Sequence, residues 1–204
     1  MFTGIIQALG CVVSNTATNT GRCLGIALSG LDPARMQPGD SIAVDGTCLT
    51  LKKREENTGY FDVSTETLDR CLIGHWKAGQ MVNLELSLTL ESRLGGHLVF
   101  GHVDGVGKLV HRREESEFAT MRFEVDRSTV GRLIAEKGSV AVNGVSLTTN
   151  TVVDQDSTTC FEVMLVPHTL ENTTFGTLRE GGRVHLEVDQ VARYIHRILE
   201  DRQP

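Results

Sequence analysis

The 204-residue chain has no surplus of basic residues: Asp and Glu outnumber Lys and Arg by 26 to 20, for a net charge of -6 and a pI near 5.6. That balance lacks the electrostatic footprint of a nucleic-acid binder. No apolar run approaches the eighteen or so residues of a membrane span, and "MFTGIIQALGCVV" has neither the basic start nor the cleavage pattern of a signal peptide. The expected location is the cytoplasm. The five cysteines (Cys11, Cys23, Cys48, Cys71, Cys160) are odd in number and scattered, without a C-x-x-C pair, which fits reduced thiols and neither a disulfide framework nor a zinc site. His97 and His102 are joined by no acidic residue at ligand spacing, so no metal is expected. A G-x-G-x-x-G turn, a Walker loop and a G-x-S-x-G elbow are also missing, which argues against dinucleotide, nucleoside triphosphate and α/β-hydrolase chemistry.

What is present is a repetition. "SIAVDGTCLT" (41–50) returns as "SVAVNGVSLT" (139–148), with six of the ten positions identical. Four further blocks recur in the same order. "GIIQALGCVV" (4–13) matches "GHVDGVGKLV" (101–110), with glycines aligned at 4/101 and 10/107. A helix-start signal at Asp32-Pro33 has its counterpart at Ser128-Thr129; "ETLDRCLIG" (66–74) matches "HTLENTTFG" (168–176), and "AGQMVNLEL" (78–86) matches "EGGRVHLEV" (180–188). Such self-similarity indicates a duplicated structural unit.

Within each half, apolar and polar residues alternate over short stretches such as "VNLELSL" and "RVHLEV", separated by glycine or charged turns. The pattern predicts about six antiparallel strands and one short helix per half, and barrel closure removes the exposed edges of so small a sheet. The expected fold is all-β: two similar six-stranded antiparallel barrels of Greek-key, split-barrel type, over 1–97 and 98–188, joined by the segment containing "SRLGGH". A C-terminal helix over 189–204 is expected to be capped by Asp189, with Val191, Ile195, Ile198 and Leu199 on one face, docking on its own barrel or on sister subunits.

Small polar residues occupy the same places in both halves: Cys48 and Thr50 against Ser146 and Thr148, and Thr67 against Thr169. Positions two apart share one strand face. If that face is inward, hydroxyls and a thiol where an all-structural barrel has valine or leucine suggest paired pockets for one flat, hydrogen-bonding ligand. Satisfaction of nearby backbone groups is the alternative.

Taken together, "MFTGII", "GTCLT", "GGHLVFGHVDGVG", "KGSVAVNGVSLT" and "VPHTLENTTFG" resemble the riboflavin synthase family over nearly the whole chain. The resemblance implies dismutation of two molecules of 6,7-dimethyl-8-ribityllumazine to riboflavin and 5-amino-6-ribitylamino-uracil, with no cofactor and no metal. It implies a homotrimer whose sites lie between the N-terminal barrel of one subunit and the C-terminal barrel of the next. A shell of lumazine synthase, found around some family members, is a further candidate partner. Carried over by motif, Gly4, Ile5, Ile6, Cys48, Leu49, Thr50, Asp62, Val63, Ser64, Thr65, Glu66 and Thr67 would line the first pocket. Gly101, His102, Val103, Ser146, Leu147, Thr148, Val166, Pro167, His168, Thr169, Leu170 and Glu171 would line the second, with Lys137 reaching it from a helix end. Ser41, Cys48, His102, Ser146 and Thr148 are the residues expected to matter for rate. Phe100 and Leu86 depart from the family pattern, where serine and arginine are common. The alternative is a non-catalytic, antenna-type lumazine- or flavin-binding protein of the same fold. A split-barrel flavin reductase would need an α/β nicotinamide domain that the sequence lacks.

Overall fold

A computed structural model describes residues 1–200. The first half forms β1 (Ala8–Thr18), β2 (Gly21–Ala27), β3 (Ser41–Val44), β4 (Thr47–Glu55), β5 (Thr58–Ser64), α1 (Thr65–Arg70) and β6 (Met81–Leu86). The second forms β7 (Gly105–Glu115), β8 (Phe118–Asp126), β9 (Ser139–Val142), β10 (Val145–Asp154), β11 (Thr158–Leu165), α2 (Pro167–Asn172) and β12 (Arg183–Val188), followed by α3 (Gln190–Glu200). Each set of six strands closes into an antiparallel barrel, in the order β1-β2-β5-β4-β3-β6 and the same order shifted by six, so the expected pair of six-stranded barrels is what the chain adopts.

The duplication extends to local defects. Register shifts at Val12/Ser14 and Leu51/Lys53 recur at Leu109/His111 and Thr149/Thr151. A bulge bends its strand and increases local twist, which a short strand needs in order to turn a barrel corner. The β3–β4 and β9–β10 hairpins turn on Asp45-Gly46 and Asn143-Gly144, all four residues at positive φ, as a two-residue type I′ turn requires. The two tips abut: a Cβ on Gly46 would lie 2.6 Å from the Gly144 nitrogen.

The short helix differs from its expected place. Asp32 does cap, accepting from the Ala34 N–H at 2.9 Å, but the residues it caps make only a single 3-10 turn, Pro33–Arg35. In the second half the turn is Gly131–Leu133, flanked by Val130, and Ser128 bonds Asp126 and caps nothing. The α-helices are α1 and α2, immediately after β5 and β11.

Each barrel is filled by its own apolar cluster. Leu24, Ile26, Leu51, Phe61 and Leu84 are fully buried in the first, and Phe123, Phe161, Phe175 and Val163 in the second. A third, small cluster of Phe2, Ala43, Val99 and Ala141 lies between them. Asp189 caps α3 as expected, accepting from the Val191 N–H at 2.9 Å. The apolar face of α3 is exposed in the single chain, from 52% at Leu199 to 64% at Val191, with Tyr194 beside it. No helix among the described residues is long and apolar enough to cross a membrane.

Candidate functional site

Antiparallel pairing places Ser41 opposite Thr50 and Ala43 opposite Cys48, and repeats this as Ser139 with Thr148 and Ala141 with Ser146. Paired residues share a face. The face inside the barrel is the other one: Thr47, Leu49 and Leu51 are buried, and so are Val145, Leu147 and Thr149, while Thr50 and Thr148 are exposed. The small polar residues therefore lie on the outside of each barrel, not inward. Leu49, Val63 and Leu147 turn into the cores and have only backbone atoms to offer a ligand.

What covers these outer faces is exchanged between barrels. The Cys48 N–H donates to the Gly101 carbonyl at 2.8 Å, and the Ser146 N–H donates to the Gly4 carbonyl at 2.8 Å. Both glycines have φ near +78°, and a Cβ on either would lie 2.5 Å from the Cβ of its partner. The grouping expected from sequence is thus corrected: Gly101, His102 and Val103 close the site of Cys48, whereas Gly4, Ile5 and Ile6 lie against Ser146. Val103 packs on the first core and Ile6 on the second. The segments also pair with each other, Phe2 with Val99 through N–H···O bonds of 2.7 and 3.1 Å.

A buried carboxylate anchors each crossing. Glu187, on β12, accepts from the N–H groups of Phe100, Gly101 and His102 at 2.7–3.0 Å. Glu85, its counterpart on β6, accepts from the Thr3 N–H and hydroxyl at 2.6 Å and from the Gly4 N–H at 2.9 Å. Burial raises both pKa values, Glu187 to about 7, against the lowering effect of these donors. The last strand of each barrel thus holds the segment that completes the other barrel's site.

The site at Cys48 is a cavity of about 430 Å³ lined by Thr47, Cys48, Glu66, Thr67, Arg70, Cys71, residues 101–104 and Arg193 of α3, a size suited to a small molecule. Phe100 packs its ring 6.1 Å from that of His102. Arg70 pairs with Glu66, and Arg193 with Asp104 at 2.7 Å. Ser64 caps α1 through the Thr67 N–H, which sets Glu66, Thr67 and Arg70 at the cavity. Asp62 is drawn away, paired with Lys52 at 2.8 Å, and Thr65 belongs to α1 without lining the cavity.

At the second barrel Pro167, His168, Thr169, Leu170 and Glu171 form α2, Leu170 against the core and Val166 exposed before it. Lys137 is corrected: it stands in an exposed turn at φ +61°, its N–H on the Thr149 carbonyl, and not at a helix end. Sequence reasoning missed Glu85, Glu187 and His97; His97 Nδ1 lies 2.7 Å from Ser146 Oγ. The signal for the first two was available, because both glutamates sit at the same place in the aligned blocks 78–86 and 180–188.

Residues 3–87 and 100–189 each match the family described as Lumazine binding domain. Relatives that match the chain almost end to end are named riboflavin synthase. That of Photobacterium phosphoreum is 40% identical over 100% of this chain and 93% of its own length. That of Mycobacterium tuberculosis (strain H37Rv) is 42% identical over 98% of both. The chain belongs to the riboflavin synthase family. Among solved structures, LumP complexed with 6,7-dimethyl-8-(1'-D-ribityl) lumazine superposes with a TM-score of 0.81 at 22% identity, covering 92% of this chain and 99% of that one. That similarity speaks to the fold. In this chain the two matched stretches coincide with the two barrels, so the exchanged segments at Gly4 and Gly101 and the glutamates that hold them lie within the matched repeats.

Proposed function

We propose that the protein is a riboflavin synthase that converts two molecules of 6,7-dimethyl-8-ribityllumazine into riboflavin and 5-amino-6-ribitylamino-uracil, one molecule giving a four-carbon unit to the other. The observation that carries this reading is the reciprocal construction of two sites, at Cys48 and at Ser146, each closed by a glycine segment held from the opposite barrel. Two copies of one substrate need two similar frames. Different side chains at equivalent places suit them to different roles: Cys48, His102, Glu66 and Arg70 in one, Ser146, Ile5, His168 and Asn172 in the other. The transfer balances between the two lumazines, with no other reactant required.

Aligning two reactants removes roughly 7–11 kcal/mol of barrier, against about 3–5 kcal/mol for one general base. Positioning is therefore the main contribution. His102 and Cys48, which line one cavity, assist loss of a proton from the C7 methyl of the donor; Ser146, with Thr148 on the same strand face, supports addition at C7 of the acceptor. Ser41 shares the outer face with Cys48 and steadies β3 against Thr50.

We further infer a homotrimer in which the Cys48 site of one subunit faces the Ser146 site of a neighbour. The exposed apolar face of α3 supports it. The five free thiols agree with a reducing, cytoplasmic compartment.

Incubating the purified protein with 6,7-dimethyl-8-ribityllumazine, without cofactor, tests the reading. Riboflavin forming at half the rate of lumazine loss supports it. Binding without turnover assigns the chain to the antenna class, and no binding rejects both.

A further inference from the structure

His97 lies in the junction between the two matched repeats, outside both. Its N–H donates to the Thr3 carbonyl at 3.2 Å, and its Nδ1 meets Ser146 Oγ at 2.7 Å. Its Nε2 is buried without a hydrogen-bond partner among the described residues. Burial lowers its pKa; the carboxylate of Asp189 acts in the opposite sense. The ring is therefore neutral at neutral pH, and a neutral imidazole has one nitrogen free to accept.

The two sites differ in what their crossing segments supply. In the first barrel the residue after the crossing glycine is His102, which shares the cavity with Cys48. In the second, the residue after Gly4 is Ile5, which carries no acceptor or donor in its side chain. We propose that His97 is the positioning residue of the Ser146 site: Nδ1 accepts the Ser146 hydroxyl proton in a hydrogen bond. With that O–H committed, the lone pairs of Oγ face the bound lumazine. The junction between the barrels thus supplies to the second site the imidazole that the crossing segment supplies to the first. This assignment rests on the function proposed above.

The test uses the full-length chain and its His97→Ala, His97→Asn, Ser146→Ala and His97→Ala/Ser146→Ala variants, with riboflavin formation and lumazine affinity measured for each. Misplacing a reacting group costs about 10²-fold, so kcat should fall by about that factor in His97→Ala with KM little changed. The double variant should be no slower than Ser146→Ala, because the two residues act as one unit. His97→Asn, whose side-chain oxygen can accept in place of Nδ1, should recover part of the loss. Multiplying effects, a change in KM alone, or an Asn variant no better than Ala would each overturn the assignment while wild-type turnover stands. A wild-type chain that makes no riboflavin overturns the function itself.

Discussion

Replacing His185 by Asn should make the protein more stable in acid while leaving it nearly unchanged at pH 8. His185 is 2% exposed. Its Nε2 accepts from the Leu72 N–H at 2.7 Å and its Nδ1 donates to the Asp45 carbonyl at 2.8 Å, a pattern that only the neutral ring can satisfy. Asn83, at the equivalent place in the other barrel, meets the same demands with an amide: Nδ2 donates to the Asn143 carbonyl and Oδ1 accepts from the Thr174 N–H. Asn at 185 is thus a replacement the fold already uses. Burial lowers the His185 pKa from 6.5 to about 4. Its contribution to stability is full above pH 6.5 and is lost as pH falls through 4, amounting to about 2 kcal/mol at pH 5 and about 3 kcal/mol below pH 4. Asp45 has the opposite sign: burial raises its pKa to about 7, so its contribution is present below 3.8 and lost as pH rises through 7. Those two offset each other across pH 4–6.5, and Glu187, also raised to about 7, makes the wild type lose stability as pH rises there. In His185→Asn the Asp45 and Glu187 effects act without the offset from His185. Urea unfolding at fixed protomer concentration, followed by fluorescence of Trp76, whose ring lies 5.8 Å from His185, should give a difference within about 1 kcal/mol at pH 8 and about 2 kcal/mol in favour of the variant at pH 5. A difference independent of pH would refute the reasoning.

Glu187→Gln leaves one acceptor oxygen for three N–H groups; it should cost about 1.5–3 kcal/mol for each charge-assisted bond lost and weaken lumazine binding at the Cys48 site at least about tenfold. Unchanged affinity by fluorescence titration would show that this carboxylate does not hold that site. Gly101→Ala places a Cβ 2.5 Å from that of Cys48 at φ +78°, so the segment must lift and break the Cys48 N–H bond; affinity should fall while the barrels keep their far-UV spectrum. His102→Ala should slow turnover by about 10²- to 10⁴-fold without abolishing it, and complete loss in a folded protein would mean an obligatory base. Truncation after Asp189 removes α3 and the Arg193–Asp104 pair; light scattering should then find no trimer, and a surviving trimer would contradict the role given to the helix.

Much of the frame is legible in the sequence because the repeat is physical at every level. Asp45-Gly46 and Asn143-Gly144 encode the same hairpin turn, and the alternation of Thr47, Leu49 and Leu51 beside Cys48 and Thr50 marks two faces of one strand. The leucines, not the polar residues, decide which face is inward, and attention to the polar residues alone turns the site into the barrel. The exchange is hidden for another reason. Gly4 and Gly101 occupy equivalent positions, so a segment folding over its own barrel and one folding over the other satisfy the same local pattern. Only the long-range bonds to Ser146 and Cys48 distinguish them. The cap at Asp32 is real, but Pro38-Gly39 comes too soon after it for an α-helix to continue.

The exchange also gives the duplication a consequence beyond a doubled binding site. Were each barrel closed by its own N-terminal segment, the two sites would be independent and would differ only by drift in their own side chains. Here Glu187 of the second barrel fixes the backbone over Cys48, and Glu85 of the first fixes the backbone over Ser146. Phe2 and Val99 join the two segments between the barrels. A shift of either segment must therefore be felt at that bridge, because packed interiors transmit displacement and do not absorb it. Two lumazines that must meet in one geometry but play unequal parts require sites that are alike in backbone, unlike in side chains and rigid relative to one another. Crossed closure, with Cys48 and His102 on one side and Ser146 and His97 on the other, meets the first two and fixes the two sites of each subunit against one another, so that in the trimer inferred above the Cys48 site of one subunit and the Ser146 site of its neighbour meet in one repeated geometry.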